Sequence, residues 1–187
     1  MSGATLAHVR IATRAAHASL ESALGLLDDH LDLSGYTRVL GRFYGFWRDW
    51  EPRMAVLLQD ETFLVPRRRL HLLAADLAAL GCSLQAVAAL PRCPLPTLRD
   101  AVEALGSLYV MEGSTLGGRV IEEKVGRRLG LQGRAGCCYF ASYGAATGAM
   151  WRAFLLRLDA TPAEDAERIA IGAAATFARL EWWLPGR

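Results

Sequence analysis

Thr5-Leu-Ala-His-Val-Arg-Ile-Ala-Thr-Arg-Ala-Ala-His-Ala-Ser-Leu-Glu-Ser-Ala-Leu24 sets Leu6, Arg10, Thr13, His17, Leu20 and Leu24 at alternating intervals of four and three residues. That spacing puts all six on one face of a helix. The same period recurs along most of the chain, whereas strand-like alternation and Asn-Gly or Asp-Gly hairpin turns are absent. The expected fold class is all-α.

Periodicity and punctuation predict helices over 5–27, 35–58, 66–80, 98–129, 138–158 and 162–183. Ser34 precedes the second, Thr97 with Asp100 opens the fourth, and Thr161 with Pro162 and Glu164 reads as a capping box with proline at the first helical position. Pro52 is expected to kink or split the second helix. Leu90-Pro-Arg-Cys-Pro-Leu-Pro96 is an irregular connector, because three prolines in seven residues do not continue a helix. Gly130-Leu-Gln-Gly-Arg-Ala-Gly136 reads as a mobile glycine-rich loop.

A length of 187 residues suits one domain, residues 1–187, with an ordinary core. At 52% hydrophobic and 21% charged, the composition excludes a disordered chain. The net charge of +2 is too small for the basic surface that nucleic acid requires. Leu70 to Leu90 is the most apolar stretch, but His71, Asp76, Gly81 and Gln85 interrupt it, so it reads as a core helix with its continuation and not as a membrane span. The N-terminus lacks the charged and apolar regions of a signal peptide. Cys82, Cys93, Cys137 and Cys138 lack zinc or redox spacing. They read as small hydrophobes in a reducing, cytoplasmic compartment.

Two constellations stand out. His17 lies on the apolar stripe of the first helix and is expected to look into the core, where it is either a satisfied core residue or a ligand. The second is Leu108-Tyr-Val-Met-Glu-Gly-Ser-Thr-Leu-Gly-Gly-Arg-Val-Ile121, a helix-forming segment that contains Gly113, Gly117 and Gly118. Together these glycines cost about 3 kcal/mol relative to alanine. With Ser114 they cluster on one side, so the face permits either close helix packing or a flat object lying against backbone. An inward histidine and a glycine-faced helix are the two walls needed to sandwich a planar macrocycle, in which the histidine would supply an axial ligand to iron and the glycine side would leave the sixth position open.

Ala12-Thr-Arg-Ala-Ala-His-Ala-Ser-Leu-Glu21 resembles the proximal-histidine segment of heme oxygenases. Tyr109 to Ile121 resembles their distal helix, in the form found in bacterial biliverdin-producing enzymes that often accompany bacteriophytochromes. Tyr139-Phe-Ala-Ser-Tyr-Gly-Ala-Ala-Thr-Gly-Ala-Met-Trp-Arg-Ala-Phe154 is similar to a third segment of that group, and the match runs from about residue 6 to about residue 184.

The resemblance implies an all-α heme sandwich that opens heme at a meso carbon to biliverdin, carbon monoxide and ferrous iron. It implies heme as cofactor and substrate, O2 as oxidant, and His17 as iron ligand. Gly113, Ser114, Gly117 and Gly118 are implied on the distal side. Arg10, about 10 Å along the helix from His17, together with Arg152 and Tyr109, matches propionate-contacting positions, and Phe177 resembles a pocket aromatic. Animal members carry an aspartate where this chain has Ser114, so the proton for oxygen activation is left to Ser114, to backbone carbonyls freed by a glycine-bent helix, or to ordered water. A heme or bilin carrier is the other reading of the same fold, and a plain helical packing module is the third. No flavin or nicotinamide motif is present, which implies an external ferredoxin or reductase, and a bacteriophytochrome is a candidate receiver of biliverdin.

The remaining features read structurally. Phe43, Phe46, Trp47 and Trp50 form a core stripe. Trp182 and Trp183 close the last helix against the bundle or meet a partner. Arg67-Arg68-Arg69 is expected to be a solvated turn, or a patch for an acidic electron donor.

Overall fold

The computed structural model describes residues 3–131 and 135–185. Its longer helices are α1 (Ala4–Leu24), α2 (Leu33–Leu58), α4 (Leu70–Ala79), α6 (Ala101–Leu129), α8 (Thr147–Asp159) and α9 (Ala166–Trp183). Shorter turns of helix are α3 (Glu61–Leu64), α5 (Leu84–Ala88) and α7 (Cys138–Ala141), and the described residues contain no strand. The all-α expectation holds.

The ends differ from the sequence reading for local reasons. Helix α1 stops at Leu24 because Gly25 takes the left-handed conformation (φ 57°). Asp32, not Ser34, caps α2 by accepting from the Gly35 amide at 2.7 Å. Asp100 caps α6 by accepting from Val102 and Glu103. The expected helix at 138–158 is broken at Ser142, whose φ of 46° ends α7. The capping box at Thr161 does not form: its hydroxyl turns back to the Leu158 carbonyl, and a 3-10 turn over Ala163–Asp165 leads into α9. Pro52 lies inside a continuous α2, flanked by the buried Trp50 and Met54. Gly130 caps α6 with φ 65°, and the centre of the predicted glycine-rich loop lies outside the described residues.

Helix α9 packs against both α6 and α1. At the α6–α9 crossing the two backbones touch. A methyl group at Gly106 would lie 1.9 Å from the Ile169 carbonyl oxygen, and one at Gly172 would lie 2.0 Å from that of Glu103. Beside this contact, Ser107 accepts from Trp50 Nε1 at 2.9 Å, and its hydroxyl lies 2.8 Å from that of Thr176. The Phe43, Phe46, Trp47 and Trp50 stripe is buried, as expected, and Trp47 Nε1 donates to the Tyr139 hydroxyl at 2.9 Å. Trp183 is buried and donates to the Arg42 carbonyl, whereas Trp182 is 62% exposed. The proline connector lies on α2, where the Cys93 amide donates to the Gly45 carbonyl.

Asp76 of α4 is fully buried and accepts from the Cys138 and Tyr139 amides at 2.7 and 2.8 Å. It thereby caps α7 and fixes the segment that packs against α6. Burial outweighs these two bonds and raises its carboxyl above the ordinary range.

Alanine gains about 1 kcal/mol over glycine in helix propensity, yet Gly106→Ala and Gly172→Ala each drive a methyl into a carbonyl. Each should therefore destabilise the protein by about 1–3 kcal/mol or more in urea unfolding. Because the folded-state value of Asp76 is raised, its contribution to stability is fully present below about pH 4 and declines as pH rises toward that value. In a pH series of unfolding midpoints, Asp76→Asn should remove this decline, and Asp76→Ala should cost about 2–4 kcal/mol through two unpaired amides.

Candidate functional site

A cavity of about 480 Å³ opens between α1 and α6, with Trp151 of α8 and Phe177 of α9 also on its wall. This lies within the usual range for small-molecule sites. Helix α1 divides its faces between packing and cavity. Thr5, Val9, Thr13 and Leu20 are buried, while Leu6, Arg10, Thr13, His17, Leu20 and Leu24 border the cavity. His17 therefore does not sit in the core as expected, and its side chain is 54% exposed. Its Nδ1 lies 3.4 Å from Glu21 Oε2, and Phe177 meets the imidazole edge-on at 5.8 Å.

On the opposite wall, α6 is helical without interruption through all three glycines, so no break frees a carbonyl there. All of Gly113, Ser114, Gly117 and Gly118 border the cavity. They do so for different reasons. A methyl at Gly117 would meet nothing within 4 Å, and one at Gly113 would just reach Trp151 at 4.0 Å. A methyl at Gly118 would lie 2.2 Å from the Phe140 carbonyl oxygen. Gly113 and Gly117 leave open space in the cavity, whereas Gly118 permits the approach of α7.

Other expected residues are distributed unevenly. Tyr109 borders the cavity, and burial raises its phenol, partly offset by Thr13 and Arg10. Phe177 is buried and borders it too. Arg10 borders it, but Arg152 does not: its exposed side chain lies along α8 near Gly148. Arg14, overlooked in the sequence, takes the place of a second cation, and its position three residues before His17 was the available signal.

The arginine run is also reassigned. Only Arg68 of the three is exposed, paired with Glu61. Arg67 and Arg69 are buried around Glu112 of α6, which is 1% exposed. Arg67 Nε lies 3.5 Å and Arg69 Nη2 3.9 Å from its carboxylate, and the Tyr143 hydroxyl donates to it at 2.6 Å. Arg69 borders the cavity and donates to the Met111 carbonyl at 2.6 Å. Nothing local betrays this, because Glu112 is more than forty residues away from the run.

Among the described residues no cluster of three or more His, Cys, Asp or Glu side chains is placed to hold a metal ion. The cavity offers a single imidazole, a strip without β-carbons and two cations on α1. That is the complement of a flat, anionic ligand carrying its own metal donors.

Residues 4–184 match the heme oxygenase family model. A heme oxygenase from Xanthomonas campestris pv. campestris (strain 8004) is 33% identical over 155 residues, covering 80% of this chain and 88% of that protein. The structure of heme oxygenase from Leptospira interrogans superimposes with a TM-score of 0.79 over 100% of both chains at 15% identity, a likeness of fold.

The two kinds of glycine in α6 separate by stability. Gly117→Ala should stabilise the protein by up to about 1 kcal/mol, because only helix propensity changes. Gly118→Ala should destabilise it by about 1–3 kcal/mol. Paired chemical denaturation curves check both signs.

Proposed function

The chain belongs to the heme oxygenase family, and on that premise we propose that His17, the glycine face of α6 and the arginines of α1 carry its reaction. The protein is an enzyme that opens heme to biliverdin, carbon monoxide and ferrous iron, using O2 and electrons supplied from outside. Bound heme supplies the redox-active iron at which oxygen is activated, and the ring is itself the substrate.

The observation that carries the residue assignments is that the His17 imidazole and the open positions Gly113 and Gly117 border one cavity. With the Glu21 carboxylate 3.4 Å from Nδ1, the Nε2 nitrogen of His17 would be the iron donor. Phe177 braces the imidazole from its edge. Gly113 and Gly117 let the macrocycle lie against α6 without a side chain between them. Arg10 and Arg14 hold the propionates by charge-assisted bonds, with Tyr109 beside Arg10. Arg152, next to the lining residue Trp151, is a further candidate for a propionate. Holding the propionates would set the ring's rotation, and with it which meso carbon faces the reacting oxygen. Ser114, or water ordered by it, would supply the proton that activation of oxygen on the glycine side of the ring requires.

We further assign the whole chain to one domain and place it in the cytoplasm, with a ferredoxin or reductase as donor and a bacteriophytochrome as a receiver of biliverdin. Among the described residues no helix is long and apolar enough to cross a membrane.

Hemin titration followed by reductant in air tests the assignment. The wild type should give a histidine-type Soret band that decays to biliverdin with iron released, and His17→Ala should lose that turnover. A Soret band that persists under turnover conditions would instead indicate a carrier. Replacing Arg10 and Arg14 together by alanine should weaken heme affinity at least about tenfold, since one charge-assisted bond is worth ~1.5–3 kcal/mol.

A further inference from the structure

The Met111 carbonyl is contested. As part of continuous α6 it accepts the backbone bond from four residues on, Arg69 Nη2 donates to it at 2.6 Å, and the Ser114 hydroxyl donates at 2.8 Å. A carbonyl oxygen has two lone pairs, so three donors share two sites. The backbone amide is fixed by the helix. The Arg69 guanidinium is nearly as fixed: it is 2% exposed, lies 4.6 Å from the Trp47 ring and 5.6 Å from that of Tyr143, and is held near Glu112. Of the three donors only the serine hydroxyl can turn away by rotation about its own side chain, and Ser114 is exposed on the cavity side of α6.

We propose that Arg69 is a positioning residue of the distal wall: by competing for the Met111 carbonyl it loosens the Ser114 hydroxyl's own bond there, so that the hydroxyl turns to donate to a ligand in the cavity. This rests on the reading of the cavity as the heme site and of Ser114 as a distal donor. Glu112 serves the same end, because its carboxylate, shared by Arg67 and Tyr143, holds the charge of Arg69 beside α6. Removing Arg69 returns a lone pair of Met111 to the hydroxyl, which then stays folded onto its own helix.

Fluoride affinity of the ferric heme complex, at one fixed pH, reads the distal donor without turnover. Lysine at position 69 keeps the charge but is too short to keep the Met111 bond. Arg69→Lys should therefore weaken fluoride binding about as much as Ser114→Ala does, each roughly tenfold for one lost bond to an anion, and the double variant should be no weaker than either single one. Arg69→Gln should behave like Arg69→Lys. Glu112 keeps Arg67 and Tyr143 in these variants, and far-ultraviolet circular dichroism checks that the fold is retained. Unchanged fluoride affinity in Arg69→Lys, or losses that add in the double variant, would overturn the proposal, because Arg69 would then act by charge alone or not at all. Absence of a histidine-type Soret band in the wild type would instead overturn the site reading on which it rests.

Discussion

Backbone contact between α6 and α9 at Gly106 and Gly172 is the constraint on which the rest of the structure depends. Helices with ordinary side chains at their crossing stand about 8–10 Å apart. Here each presents a glycine to the other's carbonyl, so the axes come closer than side chains allow. α9 also carries α1, and with α1 come His17 and both arginines. The width of the cavity between α1 and α6 is thus set by how closely α9 seats on α6. On its other flank α6 is held by Gly118 against the α7 backbone, and α7 is held by Asp76. A helix clamped on both flanks keeps Gly113 and Gly117 uncovered between them.

The clamp is completed from beneath by charge. Burying Arg67, Arg69 and Glu112 is costly, and such clusters are often no more stabilising than apolar residues of the same size. This one is incompletely bonded, since Arg67 Nε, Arg69 Nε and Glu112 Oε2 have no hydrogen-bond partner. Its use lies in placement. Arg69 ties the segment ahead of α4 to the carbonyl of Met111, which itself borders the cavity, and Arg67 ties the same segment to Met150 of α8. Local order at the distal wall is gained where global stability is spent.

Much of this was legible in the sequence. The spacing from Leu6 to Leu24 marked the face of α1 that turned out to border the cavity, and the glycines of α6 marked its opposite wall. What the spacing could not distinguish was core from cavity, because residues facing a ligand chamber and residues facing a neighbouring helix obey the same period. The period of α1 therefore points His17 toward the core, whereas the fold sets it beside the cavity. The three glycines of α6 looked equivalent for a similar reason: whether a missing β-carbon makes room for a ligand or for a carbonyl depends on a chain segment some twenty residues later.

By itself, then, the sequence determined the helical class, the two walls and the residue types available to hold an anionic ring, since periodicity and composition are local properties. Tertiary structure decided which cations meet the cavity, bringing in Arg14 and Arg69 and leaving Arg152 along α8. It also turned two arginines of an apparently solvated run into the support of the distal helix. The physical reason is that burial of a charge is set by its partners, and the partner of this run, Glu112, is distant in sequence and adjacent only once α6 is seated.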